Sequence, residues 1–408
     1  MEVFRVSFLN PLLVFVVSIA FFVVLMYRRV GLGISLTLAA FLMSILSLGI
    51  SGTGIVLFVT CVDPTTLTLV FASFFVMFLS ILYKETELVT ILTRSIGGFI
   101  KNSKVTVSLL PAVIGLLPVA GGALMSAPMV EAEADKLGIS KSKKTYINIW
   151  FRHAILPIYP ISQFLILTAA LTGTAIDALI TRQVLVVIVM IAIGYFIGLR
   201  KTKKGKNDNP EKTQNSKGNL KGLIYSFSPI IITLFLTAAL NVNIAIATLA
   251  GVITILIITK TKTTGLLKIL KNKALLEVTL AAFGALLLRN VTVASGASEI
   301  LGNTLANANM EGIILLSIVP AILGFLMGSP SGAVALSVSI LAETVAFIPK
   351  TASLLYISAY LGYLSAPTHL CLVFTAQYFR SSIIKSYKYL IPSTIISIIA
   401  ALITYLLI

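Results

Sequence analysis

Long apolar stretches recur along the chain, and each contains few charged residues. Their apolar positions are continuous rather than alternating with polar ones, so the pattern favours helices over strands. Because about 20 helical residues cross the hydrocarbon core of a bilayer, such stretches are typical of transmembrane helices. The predicted spans are 8–27, 30–50, 64–83, 144–173, 178–199, 222–240, 242–260, 273–290, 351–378 and 387–407. The predicted fold class is therefore an all-α polytopic membrane protein.

Two further apolar segments, 105–134 and 312–346, are interrupted near their middles. Leu-Pro-Val-Ala-Gly-Gly-Ala interrupts the first at 117–123, and Met-Gly-Ser-Pro-Ser-Gly-Ala interrupts the second at 327–333. Each half offers about a dozen residues, too few to cross a bilayer as a helix. We therefore predict two re-entrant helical hairpins, each entering and leaving the membrane on the same side.

Composition and charge agree with this interpretation. Hydrophobic residues make up 58% of the chain and charged residues only 11%, whereas soluble domains carry about 25% charged residues. The formal charge of +17 comes from basic residues in short loops, a topology signal rather than a nucleic-acid surface. The most basic segment, 200–221, is predicted to be cytoplasmic. Counting back five spans from this segment, and forward through the five that follow it, places both termini outside. No nucleic-acid partner is expected.

The two halves of the chain have the same order of predicted elements. A shift of 210 residues aligns Gly122 with Gly332, Glu133 with Glu343 and Pro157 with Pro367. Chance similarity among apolar sequences is the alternative explanation. Five spans per unit would make the second copy inverted, and inverted repeats with broken helices are typical of secondary transporters. The predicted division is a first repeat at 1–199, a linker at 200–221 and a second repeat at 222–408. The parts of the repeats are scaffold spans in 8–83 and 222–290, hairpins 105–134 and 312–346, broken helices 144–173 and 351–378, and final spans 178–199 and 387–407.

The candidate site residues are those around these interruptions. Irregular backbone at membrane depth is stable only where protein or a water-filled cavity satisfies its polar groups, so an interruption indicates a site. Small packing residues are an alternative explanation for part of the set. Prolines free backbone carbonyls one turn earlier, and those oxygens could coordinate Na⁺. The predicted substrate-binding residues are Gly121, Gly122, Ser126, Asn148, Arg152, His153, Ser329, Ser331, Gly332, Thr368 and His369. The predicted ion-coupling residues are Pro157, Ser365, Pro367, Glu133 and Glu343.

The ionisable residues of this set each have two possible roles. A charge inside the bilayer costs at least about 2.5–3.5 kcal/mol, so Arg152 is expected either to neutralise a substrate anion or to pair with Glu131 or Glu133. His153 could carry a proton or serve as a hydrogen-bonded packing residue. Glu133 and Glu343 could carry protons or lie at the membrane interface.

Other kinds of site are not predicted. The two cysteines and two histidines of the chain indicate neither a disulfide framework nor a haem or zinc centre, so no cofactor is expected apart from coupling to Na⁺ or H⁺. The sequence contains neither a His-Glu-x-x-His run nor a paired nucleophile and base, the features that would indicate an intramembrane enzyme. It also contains no phosphate-binding Gly-x-x-x-x-Gly-Lys-Ser/Thr run.

Three strings carry a family resemblance: Leu-Pro-Val-Ala-Gly-Gly-Ala-Leu-Met-Ser-Ala-Pro at 117–128, Asn-Ile-Trp-Phe-Arg-His at 148–153, and Ser-Ala-Pro-Thr-His-Leu-Cys at 365–371. Together they resemble a family of uncharacterised prokaryotic integral membrane proteins. That family is similar to the ion transporter superfamily, which includes gluconate permeases, citrate–metal symporters and divalent-anion/sodium symporters. The resemblance implies an elevator fold, dimerisation through the scaffold and a location in the cell membrane. The divalent-anion symporters have Ser-Asn-Thr at both hairpin tips, so their dicarboxylate specificity and sodium stoichiometry do not carry over.

The sequence therefore predicts a secondary active transporter that moves a small organic anion by an elevator mechanism, driven by Na⁺ or H⁺. Its expected partners are that anion, membrane lipid and a second copy of the chain. A carrier of neutral or lipid-linked solutes is the main alternative, and it would leave Arg152 structural. An intramembrane enzyme is less favoured, and no enzymatic activity is expected.

Overall fold

A computed structural model of the protein describes residues 9–97, 102–116, 122–200, 202, 219–261, 263–307, 311–342 and 344–407. Regular structure within these ranges is entirely helical. The helices of the first half are α1 Pro11–Tyr27, α2 Leu32–Val62, α3 Pro64–Glu85, α4 Leu88–Gly97, α5 Ser103–Gly115, α6 Gly122–Lys136, α7 Lys141–Ala154, α8 Gln163–Thr172 and α9 Ile176–Gly198. One 3₁₀ turn, Leu156–Ile158, lies between α7 and α8.

The second half is also helical. Its helices are α10 Leu220–Ala238, α11 Ile244–Thr259, α12 Thr263–Leu270, α13 Lys273–Ala294, α14 Ala297–Asn307, α15 Gly312–Met327, α16 Pro330–Leu341, α17 Pro349–Leu364, α18 Leu370–Tyr378 and α19 Ile383–Leu407. The predicted linker at 200–221 falls mostly outside the described residues.

The lengths and apolar character of these helices confirm an integral membrane protein. Among the described residues, seven stretches are long and apolar enough to cross a bilayer. They are Leu32–Val62, Pro64–Glu85, Lys141–Thr172 with its interruption, Ile176–Gly198, Leu220–Thr237, Lys273–Ala294 and Ile383–Leu407. Shorter apolar helices, including α1 and α11, lie beside them.

Two segments predicted as loops, 51–63 and 291–311, are mostly helical instead. Helix α2 continues past the predicted end of its span, and it changes direction at Gly49, whose φ of 67° favours a residue without a Cβ. The helix ends only where Asp63 caps α3 by accepting a 2.7 Å hydrogen bond from the Thr66 amide. The absence of charge in 51–62 indicated a short outer loop, but apolar residues also continue a helix.

The two interrupted apolar segments each form a pair of short helices, and their re-entrant course through the membrane stays a prediction. Helix α5 packs on α6, and α15 packs on α16. In the second pair the chain turns at Gly328, with φ 60°, and the Ser329 hydroxyl then accepts a 3.3 Å hydrogen bond from the Gly332 amide to cap α16. In the first pair, residues 117–121, with the predicted site residue Gly121, lie outside the described residues.

The two predicted broken helices are also present. Helix α7 ends at Ala154 and the chain resumes as α8 at Gln163, with Pro157 in the 3₁₀ turn between them. Helix α17 ends at Leu364 and the chain resumes as α18 at Leu370, with Pro367 in the gap. Proline cannot donate a backbone hydrogen bond, and each interruption contains one, although other prolines, such as Pro229 and Pro320, lie inside continuous helices.

Close approach of backbones holds these elements together. A Cβ placed on Gly362 of α17 would collide with the Ala321 carbonyl of α15, and one on Gly324 of α15 would collide with the Ala359 carbonyl of α17. Helices α2 and α13 approach in the same way at Gly33. These glycines let helices pack backbone to backbone, as small residues do inside membranes.

Candidate functional site

The ends of the two interrupted helices meet in the interior of the protein. Arg152 and His153 end α7, Tyr363 lies at the end of α17, and His369 and Cys371 follow the second interruption. The rings of His153 and His369 pack edge to face with centroids 4.8 Å apart, and the Tyr363 ring lies 4.2 Å from that of His369 at a tilt of 44°. We call Arg152, His153, Tyr363, His369 and Cys371 the junction cluster.

Arg152 is the charged member of the junction cluster and is only 5% exposed. Its guanidinium lies close to Cys371, and its Nη1 atom has no hydrogen-bond partner among the described residues. A buried cation of this kind needs a compensating anion.

The two glutamates considered as partners of Arg152 are engaged elsewhere. Glu133 forms an ion pair with Lys136 at 2.6 Å and accepts a hydrogen bond from Ser103. Glu131 accepts a 3.0 Å hydrogen bond from the Tyr378 hydroxyl. No ion pair joins Arg152 to a carboxylate in the ranges that the structure describes.

Both histidine rings are held by hydrogen bonds, His153 through Nδ1 and His369 through both ring nitrogens. His153 Nδ1 lies 2.8 Å from the Ile149 carbonyl, so the Nδ1 proton is donated there and Nε2 carries the free lone pair. His369 Nε2 lies 2.8 Å from the Tyr363 hydroxyl. One ligand atom from each of His153, His369 and Cys371 lies within 4.8 Å of the others, a spacing that could hold a metal ion.

Ser126 and Asn148 connect the first hairpin to both interrupted helices. The Ser126 hydroxyl donates to Asn148 Oδ1 at 2.6 Å. The Asn148 amide donates to the Ala123 carbonyl at 2.9 Å and to the Thr375 hydroxyl at 3.2 Å. Both side chains are fully buried, so these two predicted substrate-binding residues fix the position of α6 against α7 and α18. The neighbouring Gly122 begins α6.

The predicted residues of the second hairpin have separate environments. Ser331 lines a cavity, whereas Ser329 caps α16. Gly332 faces Met327 and Leu32. Thr368 is exposed and packs against Gly328, so it is not part of the junction cluster.

The carbonyls expected to coordinate Na⁺ already have protein donors. The His153 carbonyl, four residues before Pro157, accepts a 2.7 Å hydrogen bond from the Tyr360 hydroxyl. The Tyr363 carbonyl, four residues before Pro367, accepts from the Ala366 amide at 3.0 Å.

The side chains of Ser365 and Glu133 make other contacts. The Ser365 hydroxyl is 2.8 Å from the Thr394 hydroxyl, so it faces α19. Glu133 pairs with Lys136, and Glu343 lies outside the described residues.

A cavity of about 230 Å³ lies between α2, α3 and α13 on one side and α8, α16 and α17 on the other. Apolar side chains form much of its lining. Its polar lining residues are Ser73, Gln163, Glu277, Ser331 and Tyr363. Because Tyr363 also hydrogen-bonds His369, it connects this cavity to the junction cluster.

Glu277 and Gln163 were not among the predicted site residues. The Glu277 carboxylate accepts a 2.9 Å hydrogen bond from the Gly33 amide at the start of α2, where a negative charge is favourable. Gln163 Nε2 has no hydrogen-bond partner among the described residues. The signal available in the sequence was Glu277 itself, an acidic residue inside the predicted span 273–290.

A profile of a family described as "Protein of unknown function (DUF401)" matches residues 11–408. The chain belongs to this family. No curated protein matches the chain. The family description names no substrate or reaction.

Proposed function

We propose that this member of the family is a secondary active transporter of a small organic anion, coupled to Na⁺ or H⁺. The observation that carries the proposal is the buried Arg152 guanidinium, which has no carboxylate partner among the described residues. A cation at membrane depth is stabilised when an anion neutralises it. A substrate carboxylate would supply this charge.

The packing of the two halves supports an inverted repeat. Helices α1–α9 correspond in order to α10, α11 and α13–α19. Helix α2 packs on α13 as α11 packs on α3, and α6 packs on α18 as α16 packs on α8. Helix α7 packs on α19 as α17 packs on α9. Each contact recurs with the two halves exchanged, as a two-fold relation requires, and inverted repeats of this kind form the substrate site of many transporters.

The position of the cavity supports an elevator mechanism. In the proposal, α5–α8 and α15–α18 form the moving transport unit, while α1–α3, α10, α11 and α13 form the scaffold and the dimer interface. The cavity lies along the boundary between these two groups. Solute would enter there, beside Ser331 and Gln163, and movement of Tyr363 would give it access to Arg152.

A thermal-shift screen of the purified protein tests the proposal. The probes are mono-, di- and tricarboxylates and matched neutral polyols, each with Na⁺ or with K⁺ at several pH values. We expect saturable stabilisation by at least one carboxylate, since a ligand that binds only the native state raises its stability. The stabilisation should be lost in Arg152→Gln. Stabilisation by polyols alone, or equal stabilisation of Arg152→Gln by the anion, would contradict the proposal.

A further inference from the structure

The junction cluster contains three metal-ligating side chains that the proposed anion transport does not require. His153 lies at the end of α7, and His369 and Cys371 lie beyond the interruption of α17. Their ligand atoms all lie within 4.8 Å of one another. The side chains of His153 and His369 are 3% and 1% exposed, and Cys371 is partly buried.

The histidines present suitable donor atoms. The 2.8 Å hydrogen bond from His153 Nδ1 to the Ile149 carbonyl orients the ring and leaves Nε2 free to bind an ion. Metal-ligating histidines are usually supported in this way through their second ring nitrogen. His369 Nε2 is supported by Tyr363. Its Nδ1 makes a long, 3.4 Å hydrogen bond with the Leu364 carbonyl, which a metal ion would have to displace.

The three donor atoms lie up to 4.8 Å apart, which is wider than the spacing of ligands around a bound metal ion. Bonds of about 2.0–2.3 Å from nitrogen or sulfur to a metal place donors roughly 3.5 Å apart. Movement of the side chains by about 1 Å would bring the three atoms to that spacing.

Charge selects the class of metal. Arg152 already places one positive charge close to Cys371. A divalent ion bound to one thiolate would add a further positive charge at membrane depth, which is costly. A monovalent ion that replaces the thiol proton leaves the net charge unchanged. Thiolate and imidazole ligands suit Cu⁺ as well as Zn²⁺, and the charge balance favours the monovalent ion.

We propose that His153, His369 and Cys371 bind one Cu⁺ ion. The Cys371 S–H bond breaks, its proton leaves to solvent and a Cu–S bond forms, with two imidazole nitrogens completing a trigonal site. Copper stays in the +1 state throughout, so no oxidant or reductant is consumed. A bound ion would join α7 to the interrupted α17–α18 helix. The inference does not rest on the proposed anion transport.

Metal analysis of the full-length protein in detergent tests the inference. The probes are Cu⁺, supplied anaerobically as its acetonitrile complex, and Ag⁺. After desalting, we expect one ion per chain in the wild type. Cys371→Ser and His153→Gln should each weaken binding by more than tenfold. Cys61→Ser is the matched control, because Cys61 is the other cysteine of the chain and is exposed.

X-ray absorption at the copper edge, with size-exclusion profiles of each variant, separates loss of ligands from loss of fold. One sulfur and two nitrogen neighbours around copper are expected in folded wild-type protein. Binding that survives in folded Cys371→Ser, or that is lost equally in Cys61→Ser, would overturn the inference. Because these measurements use no organic anion, failure of the copper site leaves the anion thermal-shift result standing, and the reverse also holds.

Discussion

The Tyr360 hydroxyl donates a 2.7 Å hydrogen bond to the backbone carbonyl of His153. His153 lies in the last turn of α7, where Pro157 cannot supply the usual donor four residues later and the Ile155 cap amide is the backbone donor. Tyr360 is fully buried in α17. The bond thus satisfies a carbonyl that the helix interruption exposes, and it links the two halves of the protein beside Arg152.

Replacing Tyr360 by Phe should destabilise the protein by about 1–3 kcal/mol, because a buried carbonyl loses its partner. Tyr387→Phe is the matched control, since the Tyr387 hydroxyl has no partner among the described residues, and its removal should change stability little. Melting temperatures in one detergent compare the two variants. Equal effects would mean that the Tyr360–His153 bond contributes nothing specific.

Arg152→Gln should weaken binding of the carboxylate found in the thermal-shift screen by more than tenfold, equivalent to about 1.4 kcal/mol. Arg152→Lys should recover only part of the affinity, because an ammonium lacks the planar fork that binds a carboxylate. Titration calorimetry on folded protein measures both variants.

A control addresses the alternative that Arg152 is structural. If Glu131 or Glu133 paired with Arg152, combining Arg152→Gln with Glu131→Gln or Glu133→Gln would restore stability. We expect no such rescue, because these glutamates contact Tyr378 and Lys136 instead. Rescue by either double variant would assign Arg152 a structural role.

Gly362→Ala should destabilise the packing of α15 on α17, because the new methyl group meets the Ala321 backbone carbonyl, which cannot move aside as a flexible side chain would. Gly54→Ala is the matched control, since Gly54 is exposed in α2 and a Cβ there meets nothing within 4 Å. Expression level and melting temperature should fall for Gly362→Ala and stay level or rise for Gly54→Ala. A Gly362→Ala variant as stable as Gly54→Ala would contradict this packing.

Glu277→Gln tests whether the carboxylate in the cavity takes part in ion coupling. The glutamine oxygen can still accept the hydrogen bond from the Gly33 amide, so the fold should persist while the negative charge is lost. We expect anion binding by this variant to lose its dependence on Na⁺ or on pH. If anion binding by Glu277→Gln keeps its dependence on Na⁺ and pH, Glu277 serves only to cap α2. In that case Glu277→Ala should lower stability and leave the dependence unchanged.

The predicted topology can be read by labelling single cysteines in a cysteine-free variant with a membrane-impermeant reagent. Ala175 and Lys271 are both exposed, and the charge pattern predicts Ala175 outside and Lys271 inside. Ala175→Cys in intact cells should label at once, and Lys271→Cys only after permeabilisation. The opposite pattern would reverse the orientation of the whole chain.

The helix interruptions were predictable because local chemistry determines them. Pro157, Pro367 and Gly328 lie where the structure ends or turns a helix, as their backbone properties favour, whereas Pro229 and Pro320 lie inside continuous helices. The loop expected at 51–63 was wrong because uncharged apolar residues are compatible with both a short loop and a longer helix.

The grouping of side chains was harder to predict, because it depends on how distant helices pack. Nothing in the spacing of His153, His369 and Cys371 along the sequence indicates that they meet. Glu277 resembles an ordinary residue near a helix end until α2 and α13 are seen to pack together. The position of the cavity likewise follows from contacts between the two halves.

Uptake of radiolabelled carboxylate into reconstituted proteoliposomes shows whether the protein transports an anion, whether or not the coupled step carries net charge. Addition of the carboxylate identified by thermal shift, with an inward Na⁺ or H⁺ gradient, should give saturable uptake in the wild type. Folded, equally reconstituted Arg152→Gln protein should give less than a tenth of that uptake. Wild-type proteoliposomes that take up no more than protein-free vesicles, or Arg152→Gln uptake equal to that of the wild type, would contradict anion transport through Arg152.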